Sequence, residues 1–165
     1  SSDLLGARVI ATRGDDRRLA IVKQNGADDV VNYRTADFVA AVKELTGGKG
    51  ADVIYDPVGG EVLEKSMRAA AYGARLLVVG FTSGGPSRLM SNHVLIKGLT
   101  VMGVRAGETL LRQPHMGYSY AELPKLAALG VMRPNISHRF SMDRVADAFR
   151  VLLDRQVVGK AVIEM

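Results

Sequence analysis

The sequence predicts an α/β fold built on an open parallel sheet, and three observations carry that expectation. Short β-branched runs alternate with amphipathic stretches along the whole chain, the pattern of successive βα units. Glycine or asparagine stands where most of the amphipathic stretches stop, as helix ends require. A length of 165 residues at 47% hydrophobic composition is enough for a domain with a real core.

The elements follow in order. Ala7–Thr12 (ARVIAT) reads as a strand, and Asp15–Gln24 as a helix closed by Asn25 and Gly26. Asp29–Asn32 is the next strand. Thr35 is expected to cap a helix with Phe38, Val39, Val42 and Leu45 on its apolar face, ended by Gly47 and Gly48. A strand at Asp52–Tyr55 precedes a helix from Glu61 to Ala71 that buries Leu63, Met67 and Ala70, and Gly73 is expected to end that helix before the strand Arg75–Val79. The segment Gly80–Pro86 (GFTSGGP) is a glycine-rich loop. A short helix near Asn92–Lys97 leads to a strand at Leu99–Val104. Pro114 and Gly117 predict a loop over Arg105–Tyr118, followed by a helix at Tyr120–Leu129 with Pro124 as its awkward point. Ser137–Phe140 reads as a strand, Ser141 as the cap of a helix bearing Val145, Ala148, Phe149 and Leu152, and Lys160–Ile163 as a final strand.

Composition removes several classes of function. No apolar stretch approaches the roughly 18–20 residues of a membrane helix, and no basic segment precedes an apolar run as in a signal peptide, so a soluble, cytoplasmic protein with no membrane partner is expected. With no cysteine, disulfides and thiolate metal sites are impossible, and His93, His115 and His138 are too scattered to suggest zinc. The net charge of +5 is spread along the chain and aromatics are only 5%, which argues against nucleic acid as a partner.

In an open parallel sheet, ligands bind beyond the carboxyl ends of the strands. Four such ends stand out. Arg13-Gly14-Asp15-Asp16-Arg17-Arg18 follows the first strand, where an NAD enzyme usually carries an acidic residue for the ribose 2′-hydroxyl. Arginine there can fork onto a 2′-phosphate, which points to NADP; a solvated first helical turn is the bland alternative. Arg13 also argues against a methyltransferase-type fold, which wants an acid at an early strand end. Tyr33, after the second strand, can lay its ring on an adenine or be a half-buried core residue. Asp56-Pro57-Val58-Gly59-Gly60 is a turn whose glycines admit a ligand close to the backbone, or a plain connection. Gly80-Phe81-Thr82-Ser83-Gly84 can present backbone amides to a nicotinamide. None of these segments holds a nucleophile with a base, a carboxylate pair or a metal cluster, and no catalytic residue is expected. Hydride transfer needs none, because the cofactor carries the chemistry.

The ordered motifs Gly6–Thr12, Gly26-Ala27-Asp28, Val31-Asn32-Tyr33-Arg34, Tyr55–Gly60, Val78-Val79-Gly80-Phe81 and Val158-Gly159-Lys160 run over essentially the whole chain. In this order and spacing the chain resembles the quinone oxidoreductase (zeta-crystallin-like) branch of the zinc-independent medium-chain dehydrogenase/reductase superfamily. The resemblance implies a doubly wound, Rossmann-like NADP-binding domain over residues 1–135 and a return segment of the GroES-like catalytic domain over 136–165. It implies that Gly14 to Arg18 and Tyr33 surround the 2′-phosphate and adenosine of NADPH, with Arg18 in place of the family's usual lysine and Arg13 where NAD-dependent relatives carry aspartate. Val58 and then Gly80, Phe81, Thr82 and Ser83 are implied to line the path to the nicotinamide, with Arg105, Ala106 and Gly107 at its far end and Arg155 and Lys160 closing over the cofactor. A homodimer through the strand Leu99–Val104 is implied, as is a small quinone or enone-like substrate. An enoyl- or acryloyl-thioester reductase shares the same cofactor half, and a non-catalytic nucleotide- or RNA-binding relative is the remaining alternative.

One departure from the family pattern is large. The glycine-rich fingerprint between the family's central first strand and first helix should precede Gly6, where only Ser1–Leu5 stand. The chain is therefore expected to be a carboxy-terminal part of a longer enzyme, with two open sheet edges where the central strand belongs and no quinone reduction by itself.

Overall fold

The computed structural model describes residues 6–113 and 118–165. The chain divides into two compact units, Ser1–Arg112 and Gln113–Met165. In the first, β1 (Ile10–Arg13), α1 (Asp16–Gln24), β2 (Asp29–Asn32), α2 (Phe38–Leu45), β3 (Ala51–Asp56), α3 (Gly60–Ala69), β4 (Ala70–Val78), α4 (Ser91–Lys97), β5 (Thr100–Gly103) and α5 (Ala106–Arg112) follow one another. All strand pairs are parallel, β1 with β2 and β3 with β4 with β5. Among the described residues β1 and β3 share no hydrogen bonds, so these strands form two sheets rather than one.

Local chemistry sets the element ends. Asp15 caps α1 by accepting from the Arg18 amide, and Asn25 with the left-handed Gly26 closes the helix as expected. The cap of α2 is not Thr35. Asp37 takes that place, its Oδ1 accepting from the Val39 amide at 2.9 Å and the Ala40 amide at 3.4 Å. Thr35 is instead drawn into a turn on Asn32, whose carbonyl accepts from the Thr35 and Ala36 amides.

The largest correction concerns α3, which stops at Ala69 rather than running to Ala71, and Gly73 lies inside β4 instead of ending a helix. Three alanines favour helix by propensity, yet Ala70 begins a strand at once. The cause is tertiary. The Gly50 backbone, at φ +92°, comes so close that a Cβ there would lie 2.6 Å from the Ala69 carbonyl oxygen and 2.8 Å from the Ala71 nitrogen. That approach lets Ala51 pair with Ala70 and turns the chain from helix to ladder. Lys97 closes the same junction, its Nζ donating to the carbonyls of Arg68 at 2.8 Å and Ala70 at 2.7 Å. Burial lowers the pKa of this amine from the ordinary lysine value, with the Lys43 charge adding to the effect.

Helix α3 belongs to two cores. Leu63 and Met67 pack with Ala70, Ala74, Leu76 and Leu99 over the three-stranded sheet, while Ala69 completes the cluster of Val31, Phe38 and Val42 over β1 and β2. The expected loop over Arg105–Tyr118 is partly helical, because Glu108 pairs with Arg105 at 3.7 Å and with Arg112, and these i,i+3 and i,i+4 pairs stabilise α5. The part of that expectation resting on Pro114 and Gly117 lies outside the described residues.

The second unit contains α6 (Tyr118–Ala128), which keeps Pro124 inside it, then β6 (Ile136–Ser141), α7 (Val145–Leu153) and β7 (Lys160–Glu164). Strands β6 and β7 pair in parallel, with Phe140 opposite Ile163. Ser141 caps nothing. A 3₁₀ turn, Met142–Arg144, intervenes, and Asp147 organises the first turn of α7 by accepting from Arg144 at 2.9 Å and Arg150 at 2.8 Å.

Met67 is fully buried where the helix meets the larger sheet. Met67→Ala should lower the unfolding free energy by about 2–5 kcal/mol through lost burial and the cavity left behind, measured by urea unfolding. A loss under about 1 kcal/mol would contradict this packing.

Candidate functional site

Parallel pairing brings the carboxyl ends of neighbouring strands to the same edge, so the loops after β1 and β2 lie together, as do those after β3, β4 and β5. At the first group, Arg13 is the last residue of β1 and stands opposite Asn32. Its carbonyl accepts from the Tyr33 amide at 3.1 Å, which continues the ladder one step past the strand. Asn32 locks the junction from its side chain: Nδ2 donates to Asp16 Oδ1 at 2.7 Å and Oδ1 accepts from the Arg34 amide at 3.0 Å.

Gly14 explains how tightly these loops meet. A Cβ on it would lie 2.8 Å from the Tyr33 ring and 2.9 Å from Arg34 Nε, so the absence of a side chain there is what permits the contact. Arg18 is the least exposed arginine side chain of the group, at 13%, and its Nε faces Asp15 Oδ2 at 3.4 Å. Asp15 thus caps the helix and holds the guanidinium by one edge, which leaves the terminal nitrogens to fork onto an anion. Arg13 and Arg17 are exposed beside it, and Tyr33 is exposed with its ring over Gly14. Five of the expected residues, Arg13, Gly14, Asp15, Arg18 and Tyr33, therefore converge, with Asp16 tied in through Asn32.

At the second group, Asp56 is almost completely buried and accepts from the amides of Val58 at 2.9 Å and Gly59 at 3.1 Å. This carboxylate holds the turn that presents Val58. The next loop docks on it: the Thr82 amide donates to the Pro57 carbonyl at 3.2 Å and the Ser83 amide to the Val58 carbonyl at 2.9 Å. Gly59, at φ +73°, passes within contact of Phe81, and a Cβ on Gly80 would lie 3.1 Å from the Pro57 oxygen. Val58, Gly80, Phe81, Thr82 and Ser83 are thus one interlocked surface. Arg105, Ala106 and Gly107 follow β5 on the same edge of that sheet, at the start of α5.

Arg155 and Lys160 belong to the second unit. Arg155 follows α7 in a left-handed conformation at φ +55°, and Lys160 opens β7 opposite Ile136. Sequence reading passed over Asp56 as a site-shaping group and Arg34 as more than a motif letter. It also missed Ser87, whose buried hydroxyl has no hydrogen-bond partner and faces Gly59. A cavity of about 400 Å³ between α2 and α3 takes Tyr33 as part of its wall, together with Asp37, Phe38, Glu61, Lys65 and Arg68. Its mixed charge, with Lys65 and Glu61 paired at 3.9 Å, makes it a poor anion seat. Among the described residues no three histidine or carboxylate side chains gather as a metal centre, and no helix is long and apolar enough to cross a membrane.

This arrangement of parallel βα units, with glycine-opened turns gathered at the strand ends, is that of a Rossmann-like domain, in which ligands bind beyond the carboxyl ends of the strands. Comparison with known proteins agrees. The pattern of the zinc-binding dehydrogenases matches residues 2–123, and the chain belongs to that family, in the quinone oxidoreductase branch of the medium-chain dehydrogenase/reductase superfamily. Quinone oxidoreductase-like protein 2 of Bos taurus is 31% identical over 166 residues, which cover 100% of this chain and 48% of the relative. The solved quinone oxidoreductase of Escherichia coli complexed with NADPH superposes with a TM-score of 0.87 at 26% identity, over 99% of this chain and 51% of that one. A solved NAD-dependent alcohol dehydrogenase gives 0.82 at 32% identity, over 99% and 45%. The chain spans about half the length of the curated relatives it matches.

Replacing Asp56 by alanine strips the buried Gly59 amide and the half-buried Val58 amide of their acceptor. The expected cost is about 1–3 kcal/mol in thermal or urea unfolding, with Asp56→Asn losing less because it keeps one acceptor oxygen. Equal stability of all three proteins would contradict the role assigned to the carboxylate.

Proposed function

We propose that this chain is the NADPH-binding part of a zinc-independent reductase of quinones or other activated, electron-poor double bonds. The observation that carries the reading is the end of β1: Arg13 stands where an NAD-specific site needs an acid, and Arg18, held by Asp15, offers the free edge of its guanidinium beside it. An acid at that strand end would repel a phosphate on the ribose; an arginine attracts it and matches two of its oxygens at once. The residues fit the group. Gly14 leaves backbone and ring close together, and the Tyr33 hydroxyl and ring supply a donor and a face for the adenosine.

The cofactor supplies hydride when bound, and the protein's part is to hold and orient it. In this reading Val58 and the Gly80–Ser83 loop line the path to the nicotinamide, and Arg105, Ala106 and Gly107 meet its far end. Residues 1–135 form the NADP-binding domain in this reading, and the segment 136–165, with Arg155 and Lys160, belongs to the catalytic domain. Strand β5 bonds to β4 along one edge and carries exposed Met102, and its other edge pairs with a second copy of the chain in a homodimer.

The test is Arg18→Glu in the complete polypeptide. The Michaelis constant for NADPH should rise roughly tenfold or more, as for a lost charge-assisted bond, with that for NADH nearly unchanged. Equal losses for the two cofactors would refute the assignment.

A further inference from the structure

We propose that Arg34 is a further specificity-determining residue, one that reaches the ribose 2′-phosphate from the loop after β2, while Arg18 reaches it from α1. This rests on the reading that the end of β1 receives NADPH. Arg34 is not part of the helix-start cluster: it follows β2 and reaches the site across the sheet.

Its placement is over-determined. The Asn32 side chain accepts from the Arg34 amide at 3.0 Å and is itself tied to Asp16 at 2.7 Å, and the preceding amide is bonded to the Arg13 carbonyl at 3.1 Å. The Arg34 side chain then folds back onto the β1–α1 turn. A Cβ on Gly14 would lie 2.9 Å from Arg34 Nε and 3.0 Å from its Cγ, so both the stem and the root of the guanidinium rest on that glycine.

The charges around it explain what it is placed for. The acids close by are engaged elsewhere, Asp15 with Arg18 and Asp16 with Asn32, and among the described residues Arg34 has no carboxylate partner. Arg13 precedes Gly14 and Arg17 and Arg18 follow it, so the turn onto which Arg34 folds already carries three arginines. A fourth arginine folded onto a turn that already carries three adds to an unfavourable positive charge unless an anion is bound there, and a dianionic phosphate monoester is the ligand that reverses the sign. Arginines from α1 and from the loop after β2, each planar and with five donors, can bracket such a group, whereas a single arginine leaves one side of the phosphate to water. Gly14 is the residue that makes this possible, because any side chain there would displace Arg34 and Tyr33 together.

The experiment is calorimetric titration of the complete polypeptide with 2′,5′-ADP and with 5′-AMP, for the natural protein, Arg34→Gln and Arg34→Lys. The two probes differ by the 2′-phosphate alone. Arg34→Gln should weaken 2′,5′-ADP roughly tenfold or more and leave 5′-AMP unchanged, which also shows that the variant is folded. Arg34→Lys should recover part of the loss, as a point charge without the fork. Unchanged 2′,5′-ADP affinity in Arg34→Gln, or an equal loss for both probes, overturns the assignment while the NADPH reading stands. If the natural protein binds the two probes equally, the 2′-phosphate reading has itself failed and Arg34 falls with it.

Discussion

The contact of Gly50 with the alanines Ala69 to Ala71 is the constraint on which the rest of the first unit depends. It fixes where α3 ends, and α3 is the helix that packs into the cores of both sheets. Helix α3 reaches one core through Leu63 and Met67 and the other through Ala69, and its end at Ala69 lets Ala70 pair with Ala51 before the register shifts and the ladder resumes at Val53 and Arg75. Had the helix continued through Ala71, the pair of Ala51 with Ala70 would be lost and the ladder would start only at Val53 and Arg75. Small residues do this because only they allow two backbones to meet.

The arginine-rich end of β1 shows the opposite economy, in which charge is gathered rather than neutralised. Arg18 is half-neutralised by Asp15, which also caps α1, so one carboxylate both starts the helix and aims the cation. Asp16 is diverted to Asn32, which prevents it from competing for the arginines. The residual positive field is an asset only toward an anion, which is why the proposed function turns on the 2′-phosphate.

Much of the architecture was legible in the sequence because its signals are local. Asn25 and Gly26 end α1 where read, Asp29–Asn32 is β2 without change, and the parallel order follows from the alternation of elements. What was misread depended on distant partners. The alanines before Gly73 have helical propensity and become strand because Gly50, about twenty positions away, presses on them. Thr35 and Asp37 are both sound caps, and the Asn32 turn decides between them. The same holds at the candidate site: that Arg13 and Arg18 follow a strand is visible in the sequence, whereas Asp56 as the buried holder of a turn and Arg34 as a neighbour of Gly14 exist only once the strands are side by side.

The central claim is that the site prefers a cofactor carrying a 2′-phosphate because of charge. Its most direct measurement is the dissociation constants of NADPH and NADH for the complete polypeptide at low and at high salt. The account predicts tighter NADPH binding, with an advantage that shrinks as salt rises while NADH affinity stays nearly level. Equal affinity for the two cofactors at low salt, or a preference for NADH, would contradict it.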